Sequence, residues 1–316
     1  MVSLDQLVDK NHPYRQLLSI VDFDKLCEPI LGLDNAGQSG ANGYGIATLF
    51  QCLLLQFIED ISDRELERYL RENNSAKLFC GFGLVAATPD FSLFTRVRKR
   101  IGTKRLSQMF ANIRDALKTQ GLISEVFTFV DATHLISKAN LWQERDKILA
   151  QGYEKLNNET LPKAACDKDA RIGCKGKNKF WYGYKQHTSV DMQSGLINKV
   201  AITAANVTDA NGLKHVCPRS GAVYADKGYC IKPARQELAR RGCHDGTIRK
   251  NNMKDKDRDK DRWISSIRSP FERVFSKCRK RVRYRSRVKN QFSAFMDAMS
   301  FNFKRLLVLR CQPLWP

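Results

Sequence analysis

Three acidic residues stand where they could bind metal ions and act on a phosphodiester bond. Asp131 and Asp226 each come at the end of an apolar run that is typical of a buried strand, and Glu272 stands alone at the head of a basic segment. An aspartate at the end of a strand has a fixed backbone and holds its carboxylate at the edge of the sheet. Two-metal cleavage of a phosphodiester needs several carboxylate oxygens, which are ligands that Mg²⁺ and Mn²⁺ accept. We therefore take these three residues as candidate catalytic residues and metal ligands.

Each of these acids also has an explanation that involves no chemistry. Asp131 and Asp226 could each be the turn residue that ends a strand. Ser269 could be the N-cap of a helix, Pro270 its first residue and Glu272 its third, which would complete a capping box. The residues alone leave both interpretations open.

The positive charge of the chain is concentrated in its C-terminal two-thirds. The 316 residues have a net charge of +21. Residues 1–120 carry 15 basic and 14 acidic side chains, whereas residues 121–316 carry 39 and 19. Such one-sided charge indicates a polyphosphate partner, most often nucleic acid, although a ribosomal or membrane-surface protein would share it.

Other features of the composition exclude some classes of protein. The ten cysteines include no C-x-x-C pair, so a zinc site is not expected. The first residues lack the apolar run of a signal peptide, and the longest apolar stretch, residues 46–58, is too short to cross a membrane. We expect a cytoplasmic protein, associated with the nucleoid when it is bound to DNA, with free thiols and no membrane contact.

The pattern along the chain predicts two domains of different class. Residues 1–121 predict a helical domain, in which Ser62 caps an amphipathic helix and Gly121 ends the last helix. Residues 122–316 predict an α/β domain with a polar, basic insertion near 142–179. Its expected elements are a strand at 126–136, a hairpin turning at 191–195, a helix at 209–216, a strand at 222–229, a helix at 233–242, a strand at 246–250, an exposed loop at 254–262 and a basic helix that contains Glu272.

Basic residues in three places are candidates for DNA contacts. The sequence RVRKR (96–100) could form the basic face of a helix-turn-helix, although most short basic helices are only solvated. The sequence KGKNKFWYGYKQH (175–187) interleaves lysines with aromatic residues, as a surface that stacks bases beside phosphates would. The candidates are Arg96, Arg98, Lys99, Lys175, Lys177, Lys179, Lys185, Arg268, Arg273, Arg279, Lys280, Arg281 and Arg283.

Several of these motifs together resemble one known family. VDATHL (130–135), YADKGY (224–229) and RSPFERVF (268–275), followed by FNFKRL (301–306), are similar to the three signature regions of DDE insertion-sequence transposases, in the group named after insertion sequence five. TPDFSLFTRVRKRIG (88–102) resembles the helical N-terminal region of the same family. The resemblance covers nearly the whole chain.

The resemblance implies an RNase H-like mixed-sheet catalytic domain preceded by a helical domain, with Asp131, Asp226 and Glu272 as its acidic triad. The family pattern also places basic residues four before and seven after the glutamate, at Arg268 and Arg279 in this chain. Two positions depart from it, because Arg279 stands where the usual residue is lysine and Ser265 stands where tyrosine is expected. His134, three residues after Asp131, could assist proton transfer, but a structural hydrogen bond is the commoner role.

The implied function is that of a DNA transposase. Such an enzyme binds the terminal inverted repeats of its element, cleaves with two Mg²⁺ or Mn²⁺ ions and joins the 3′ hydroxyl to target DNA. We expect a homodimer on double-stranded DNA. Two alternatives stay open, an RNase H-like nuclease without strand transfer and a basic DNA-binding protein whose acids are only structural.

Overall fold

The chain forms two compact units in a computed structural model. One unit comprises Met1–Gly121 with Phe295–Pro316, and the other is Leu122–Ala294. The structure describes residues 3–33, 43–137, 165–175, 179–253, 256–276, 279–309 and 312–315. Within these residues, no helix is both long and apolar enough to cross a membrane.

The first unit is helical, as the sequence predicts. Its helices are α1 Leu4–Leu7, α2 Pro13–Ile20, α3 Phe23–Leu31, α4 Ile46–Glu59, α5 Asp63–Glu72, α6 Asn74–Phe79 and α7 Phe91–Thr119. The predicted cap of α5 is confirmed, because Ser62 and Glu65 form a reciprocal capping box. Helix α7 is interrupted at Gly102, whose φ of 68° and ψ of 164° are not helical. The basic stretch 96–100 therefore lies in the first of two helical segments.

The second unit contains one mixed sheet. Its strands are β1 Phe127–Ile136, β2 Arg171–Lys175, β3 Lys179–Asp191, β4 Ile197–Ala204, β5 Ala222–Ala225 and β6 His244–Thr247. The order is β2-β3-β1-β5-β6, with β4 also paired to β3. The pairs of β3 with β1, β2 and β4 are antiparallel, and β1–β5 and β5–β6 are parallel.

The predicted strands and the hairpin of this unit are confirmed, but two strands have other bounds. The strand predicted at 222–229 ends at Ala225, and the one predicted at 246–250 runs from His244 to Thr247. Strand β2 was not expected, because it lies within the predicted insertion near 142–179. Residues 142–164 and 176–178 of that insertion lie outside the described part of the chain.

Helices cover the sheet on both faces. They are α8 Asp209–Val216, α9 Lys232–Arg240, α10 Arg258–Ser276 and the first turns of α11 Arg287–Leu309, a helix that belongs to the first unit from Phe295 onwards. Val130 and Val223 pack with α8 and α9 in a buried apolar cluster that includes Leu213 and Leu238. Side chains alternate along a strand, so the neighbours of these valines face the opposite side, towards α10.

The structure corrects the predicted loop at 254–262 and the predicted start of the next helix. Helix α10 begins at Arg258, where the Asp257 carboxylate accepts hydrogen bonds from the backbone N–H groups of Asp259 (2.9 Å) and Lys260 (3.0 Å). Alternating charges favour a helix here, because Asp259 and Arg262 form an ion pair one turn apart at 3.3 Å. Asp257 is thus the N-cap that the sequence pattern did not reveal.

The capping-box interpretation of Glu272 is consequently wrong. Ser269 and Pro270 lie inside α10, which runs from Arg258 to Ser276. A capping box forms only at the first turn of a helix.

The long basic helix predicted around Glu272 is also corrected. Helix α10 ends at Ser276 and α11 begins at Arg287, and residues 279–286 between them are not helical. Basic side chains four residues apart repel one another on a helix, as Arg279 and Arg283 would, and likewise Arg281 and Arg285. This segment instead forms backbone hydrogen bonds with the end of β1.

Candidate active site

Asp131 and Asp226 occupy equivalent positions on two adjacent parallel strands. Val130 of β1 is the register partner of Ala225 of β5, and the two aspartates are the residues that follow this pair in the chain. Adjacent strands lie about 4.8 Å apart, so the two side chains start from neighbouring backbone positions. The sheet therefore brings together two acids that are far apart in the sequence.

Both carboxylates are partly exposed and oriented by the adjacent backbone. Asp131 Oδ1 accepts a hydrogen bond of 2.8 Å from the N–H of Ala132. Asp226 Oδ1 accepts one from the N–H of Lys227, where a 3₁₀ turn, Lys227–Tyr229, begins. Because each bond joins a carboxylate to the following residue, the local backbone sets the direction of the side chain. Asp131 is the fifth of the ten residues of β1, so the expectation that it ends its strand is wrong, whereas Asp226 directly follows β5.

Helix α10 packs on the face of the sheet that carries both aspartates. The ring of Phe271 lies 6.4 Å from that of Phe129, which is two residues before Asp131. The ring of Trp263 lies 6.0 Å from that of Tyr224, which is two residues before Asp226. Residues two apart on a strand share a face, so these ring contacts place α10 beside the acids.

Glu272 follows Phe271 in α10, and its backbone therefore lies next to a residue that contacts this face. Its side chain lies outside the described part of the structure, as do those of Arg268 and Arg273. Among the described side chains there is no group of three His, Cys, Asp or Glu residues that could hold a metal ion. The described donors are two carboxylates, which suit a hard cation such as Mg²⁺.

A basic segment, residues 279–285, lies beside the far end of β1. The N–H of Ile136 donates to the carbonyl of Lys280 (2.9 Å), and the N–H of Val282 donates to the carbonyl of Ile136 (3.0 Å). Lys280 and Arg281 are exposed, whereas Arg279 and Arg283 are half-buried. Ile136 is five residues beyond Asp131, or about 16 Å along an extended strand.

His134 lies near the basic side chains of Lys175 and Lys280 and not with the pair of aspartates. It lies an odd number of residues from Asp131, so the two side chains point to opposite faces of β1. Its ring lies 5.5 Å from that of Trp181. Burial lowers the pKa of His134, and the charges of Lys175 and Lys280 lower it further. A role for His134 in proton transfer at the carboxylates does not fit this orientation.

Two of the basic candidates are held in internal ion pairs. Lys185 Nζ lies 2.8 Å from Asp209 Oδ1, and Arg98 Nη1 lies 2.9 Å from Asp63 Oδ1. The side chains of Lys185 and Arg98 are only 13% and 12% exposed. Both cations are therefore used inside the fold, and their contact with DNA stays a prediction.

No local pattern signals these pairs, because Asp63 is 35 residues from Arg98 and Asp209 is 24 residues from Lys185.

The remaining candidates differ in how they are presented. Arg96 and Lys99 are exposed and three residues apart, so they share one face of α7. Lys175 is exposed at the end of β2. Lys177 and the side chain of Lys179 lie outside the described part of the structure.

The sequence matches two family models. A model described as a transposase domain (DUF772) matches residues 2–100, and one described as a transposase DDE domain matches residues 125–303. Among solved structures, the chain is similar to one described as a cryo-EM structure of the piggyBac transposase synaptic complex with hairpin DNA. The TM-score is 0.42 and the identity 9%, over 94% of this chain and 76% of that chain. That similarity is too low to establish a shared fold.

Proposed function

The chain belongs to the transposase DDE domain family, and we propose that Asp131, Asp226 and Glu272 are the acidic residues with which this DNA transposase cuts DNA. The observation that carries the proposal is the register of β1 and β5, which sets Asp131 beside Asp226. Glu272 is assigned as the third acid because α10 packs on the same face through Phe271. A helix N-cap no longer explains Glu272.

We further assign the mixed sheet to the RNase H-like class. Strands β1, β3 and β4 form an antiparallel arrangement on one side, and β5 and β6 join β1 in parallel on the other. In this assignment residues 122–316 form the catalytic domain and residues 1–121 a DNA-binding or interaction domain, and the last residues of the chain, Phe295–Pro316, belong to the same compact unit as residues 1–121. The finer assignment to the group named after insertion sequence five is part of the same proposal.

The acids would hold divalent cations, Mg²⁺ or Mn²⁺. The donor set fits such ions, because the carboxylate oxygens of Asp131 within β1 and of Asp226 directly after β5 are hard ligands in a partly exposed position. When bound, such ions lower the pKa of the attacking water or hydroxyl and stabilise the leaving oxygen. The role of Asp131 and Asp226 is to fix their carboxylates in one place, through the strand pairing and the hydrogen bonds from Ala132 and Lys227.

The basic segment beside β1, residues 279–285, would bind the DNA backbone. Lys280 and Arg281 are exposed and fixed to the strand that carries Asp131. Positive charge at this place offsets the repulsion between DNA and three acids. Arg96 and Lys99 on α7 would instead contribute to recognition of the terminal repeats, since they lie on one exposed helix face.

The proposed reaction begins with hydrolysis that leaves a 3′ hydroxyl at the element end. The same acids then serve a second displacement, in which this hydroxyl attacks a phosphodiester of target DNA. Two element ends must be joined to one target, so we propose a homodimer in the DNA complex. A cytoplasmic location with binding to the nucleoid belongs to the same proposal.

The test uses the purified chain with a labelled DNA duplex that carries the sequence flanking its own gene, a supercoiled target plasmid and Mg²⁺. We expect nicking at the element end followed by transfer of the label to the plasmid. Nicking without transfer would instead identify an RNase H-like nuclease. Specific binding without Mg²⁺-dependent nicking would contradict both and leave a DNA-binding protein.

A further inference from the structure

Asp167 is a buried carboxylate that is surrounded by hydrogen-bond donors. Its Oδ1 accepts from the hydroxyl of Tyr184 (2.6 Å) and the N–H of Ser286 (3.1 Å), and its Oδ2 accepts from the hydroxyl of Ser137 (2.8 Å). Its backbone carbonyl accepts from the hydroxyl of Tyr182 (2.6 Å). Asp167 is only 1% exposed, and no described lysine or arginine forms an ion pair with it.

A buried charge with no cation beside it is costly unless its hydrogen bonds are complete. The donors around Asp167 come from three places that are distant in the sequence: the residue after β1, strand β3 and the residue before α11. Burial and the neighbouring Asp167 carboxylate raise the pKa of the Tyr184 hydroxyl. Asp167 therefore joins these three segments.

The basic segment 279–285 is consequently held at both of its ends. At its start, Lys280 and Val282 bond to Ile136 of β1. At its end, Ser286 donates to Asp167, and the N–H of Arg287 donates to Asp169 Oδ2 (3.0 Å).

Ser286 has a φ of 78°, in the left-handed region that non-glycine residues seldom adopt. The bond to Asp167 helps to hold this conformation, which turns the chain from the basic segment into α11.

We propose that Asp167 is a positioning residue, which holds the basic segment against the end of β1. Lys280 and Arg281 are then already ordered when they bind DNA. This inference rests on the proposed function, in which the segment binds DNA phosphates. An ordered segment loses little conformational entropy when it binds, whereas a released one must be ordered by the DNA. Asp167 itself does not touch the DNA.

The proposal distinguishes two kinds of variant by their salt dependence. In Asp167→Ala all basic side chains remain, so the log–log slope of affinity against salt should be unchanged, while affinity falls about tenfold through the cost of ordering. In the double variant Lys280→Ala/Arg281→Ala two phosphate contacts are lost, and the slope should flatten by about two units. A change that only destabilised the fold would not be expected to lower the DNA affinity in one variant and flatten the salt slope in the other.

The experiment measures DNA binding between low and moderate salt, together with amide hydrogen exchange over residues 279–290, in the full chain. For Asp167→Ala we expect exchange at Val282 and Ser286 to rise about tenfold, with exchange in β1 at Phe129 unchanged. Asp169→Ala, which removes one bond at an exposed residue, should show the same effects at smaller size and serves if Asp167→Ala does not fold. Tyr184→Phe is the matched control, because it removes another bond of the same carboxylate and leaves the bond to Ser286.

Three results would overturn the proposal. Unchanged exchange at Ser286 in Asp167→Ala, or in Asp169→Ala if the first variant does not fold, would show that the carboxylates do not hold the segment. An equal loss of DNA affinity in Tyr184→Phe would show that general destabilisation is the cause. A wild-type salt slope in Lys280→Ala/Arg281→Ala would refute the DNA-binding role of this segment. That result would be a failure of the proposed function, and hydrogen exchange at Ser286 would distinguish it because exchange does not depend on DNA binding.

Discussion

Replacement of Pro270 tests whether helix α10 passes through Glu272 or begins just before it. Pro270 is the thirteenth residue of the helix Arg258–Ser276 and is exposed. An interior proline has no N–H to donate to the carbonyl of Ser266, and it costs about 3 kcal/mol relative to alanine. Alanine also makes the unfolded chain freer, which offsets up to about 1 kcal/mol. Pro270→Ala should therefore raise the free energy of unfolding by about 2 kcal/mol.

Ser269→Ala tests the same question independently, through the sign of its effect on the free energy of unfolding. Inside a helix, an exposed serine is worse than alanine, so the variant should gain about 0.5 kcal/mol. At an N-cap the same change should lose about 1 kcal/mol, because the side-chain acceptor for the first turn is removed. Ser269 is exposed, so packing does not complicate the comparison.

The assay is urea unfolding followed by circular dichroism and by tryptophan fluorescence, which includes the signal of Trp263 in the same helix. If Ser269→Ala is destabilising and Pro270→Ala gives no gain, then the helix begins at Pro270. Glu272 would in that case be a capping residue, and its assignment as a metal ligand would lose its structural support.

Three further predictions concern the metal, the helical domain and pH. Cleavage should occur with Mg²⁺ or Mn²⁺, be poor with Ca²⁺, whose looser shell positions the attack badly, and stop in EDTA; full turnover in EDTA would contradict a two-metal reaction. Arg96→Ala/Lys99→Ala should reduce the preference for terminal-repeat over random DNA without changing the free energy of unfolding. Arg98→Ala should instead lower the free energy of unfolding by about 2 kcal/mol, because it breaks the ion pair with Asp63, and urea unfolding would show this loss. Burial lowers the pKa of His187 to about 4, so the folded state excludes a proton that the unfolded state binds below about pH 6.5. Stability should thus fall by up to about 3 kcal/mol between pH 6.5 and 4, and His187→Gln should lose most of this dependence in thermal unfolding at several pH values.

The sequence was sufficient where local patterns decide the structure. The apolar runs before Asp131 and Asp226 predicted strands, and Ser62 with Glu65 predicted a helix start, because both signals lie within a few residues. The pairing of the strands then placed the two aspartates side by side. That step depends on register, which was expected only as a convergence of strand ends.

The sequence was misleading where a local signal competes with a distant one. Ser269 and Pro270 form a good helix start, yet Asp257 caps the helix earlier and the packing of Trp263 and Phe271 on the sheet holds it continuous. Packing of this kind can offset the cost of one proline.

The basic segment shows the same limit. Its charges are visible in the sequence, but its conformation is set by Ile136 and Asp167, which are more than 100 residues away. The internal use of Arg98 and Lys185 likewise depends on acids that only the folded chain brings near.

Single-turnover cleavage by Asp131→Asn, Asp226→Asn and Glu272→Gln tests whether these three acids bind the metal ions and act in catalysis. Each change removes a charge at nearly constant shape, so terminal-repeat binding and folding should be retained. The cleavage rate in Mg²⁺ should fall about 10³-fold, which corresponds to roughly 4 kcal/mol of lost transition-state stabilisation. Asp257→Asn is the matched control in the same helix, because asparagine caps a helix as well as aspartate, and it should cleave at the wild-type rate. Wild-type cleavage by any one of the three variants would contradict the claim for that residue.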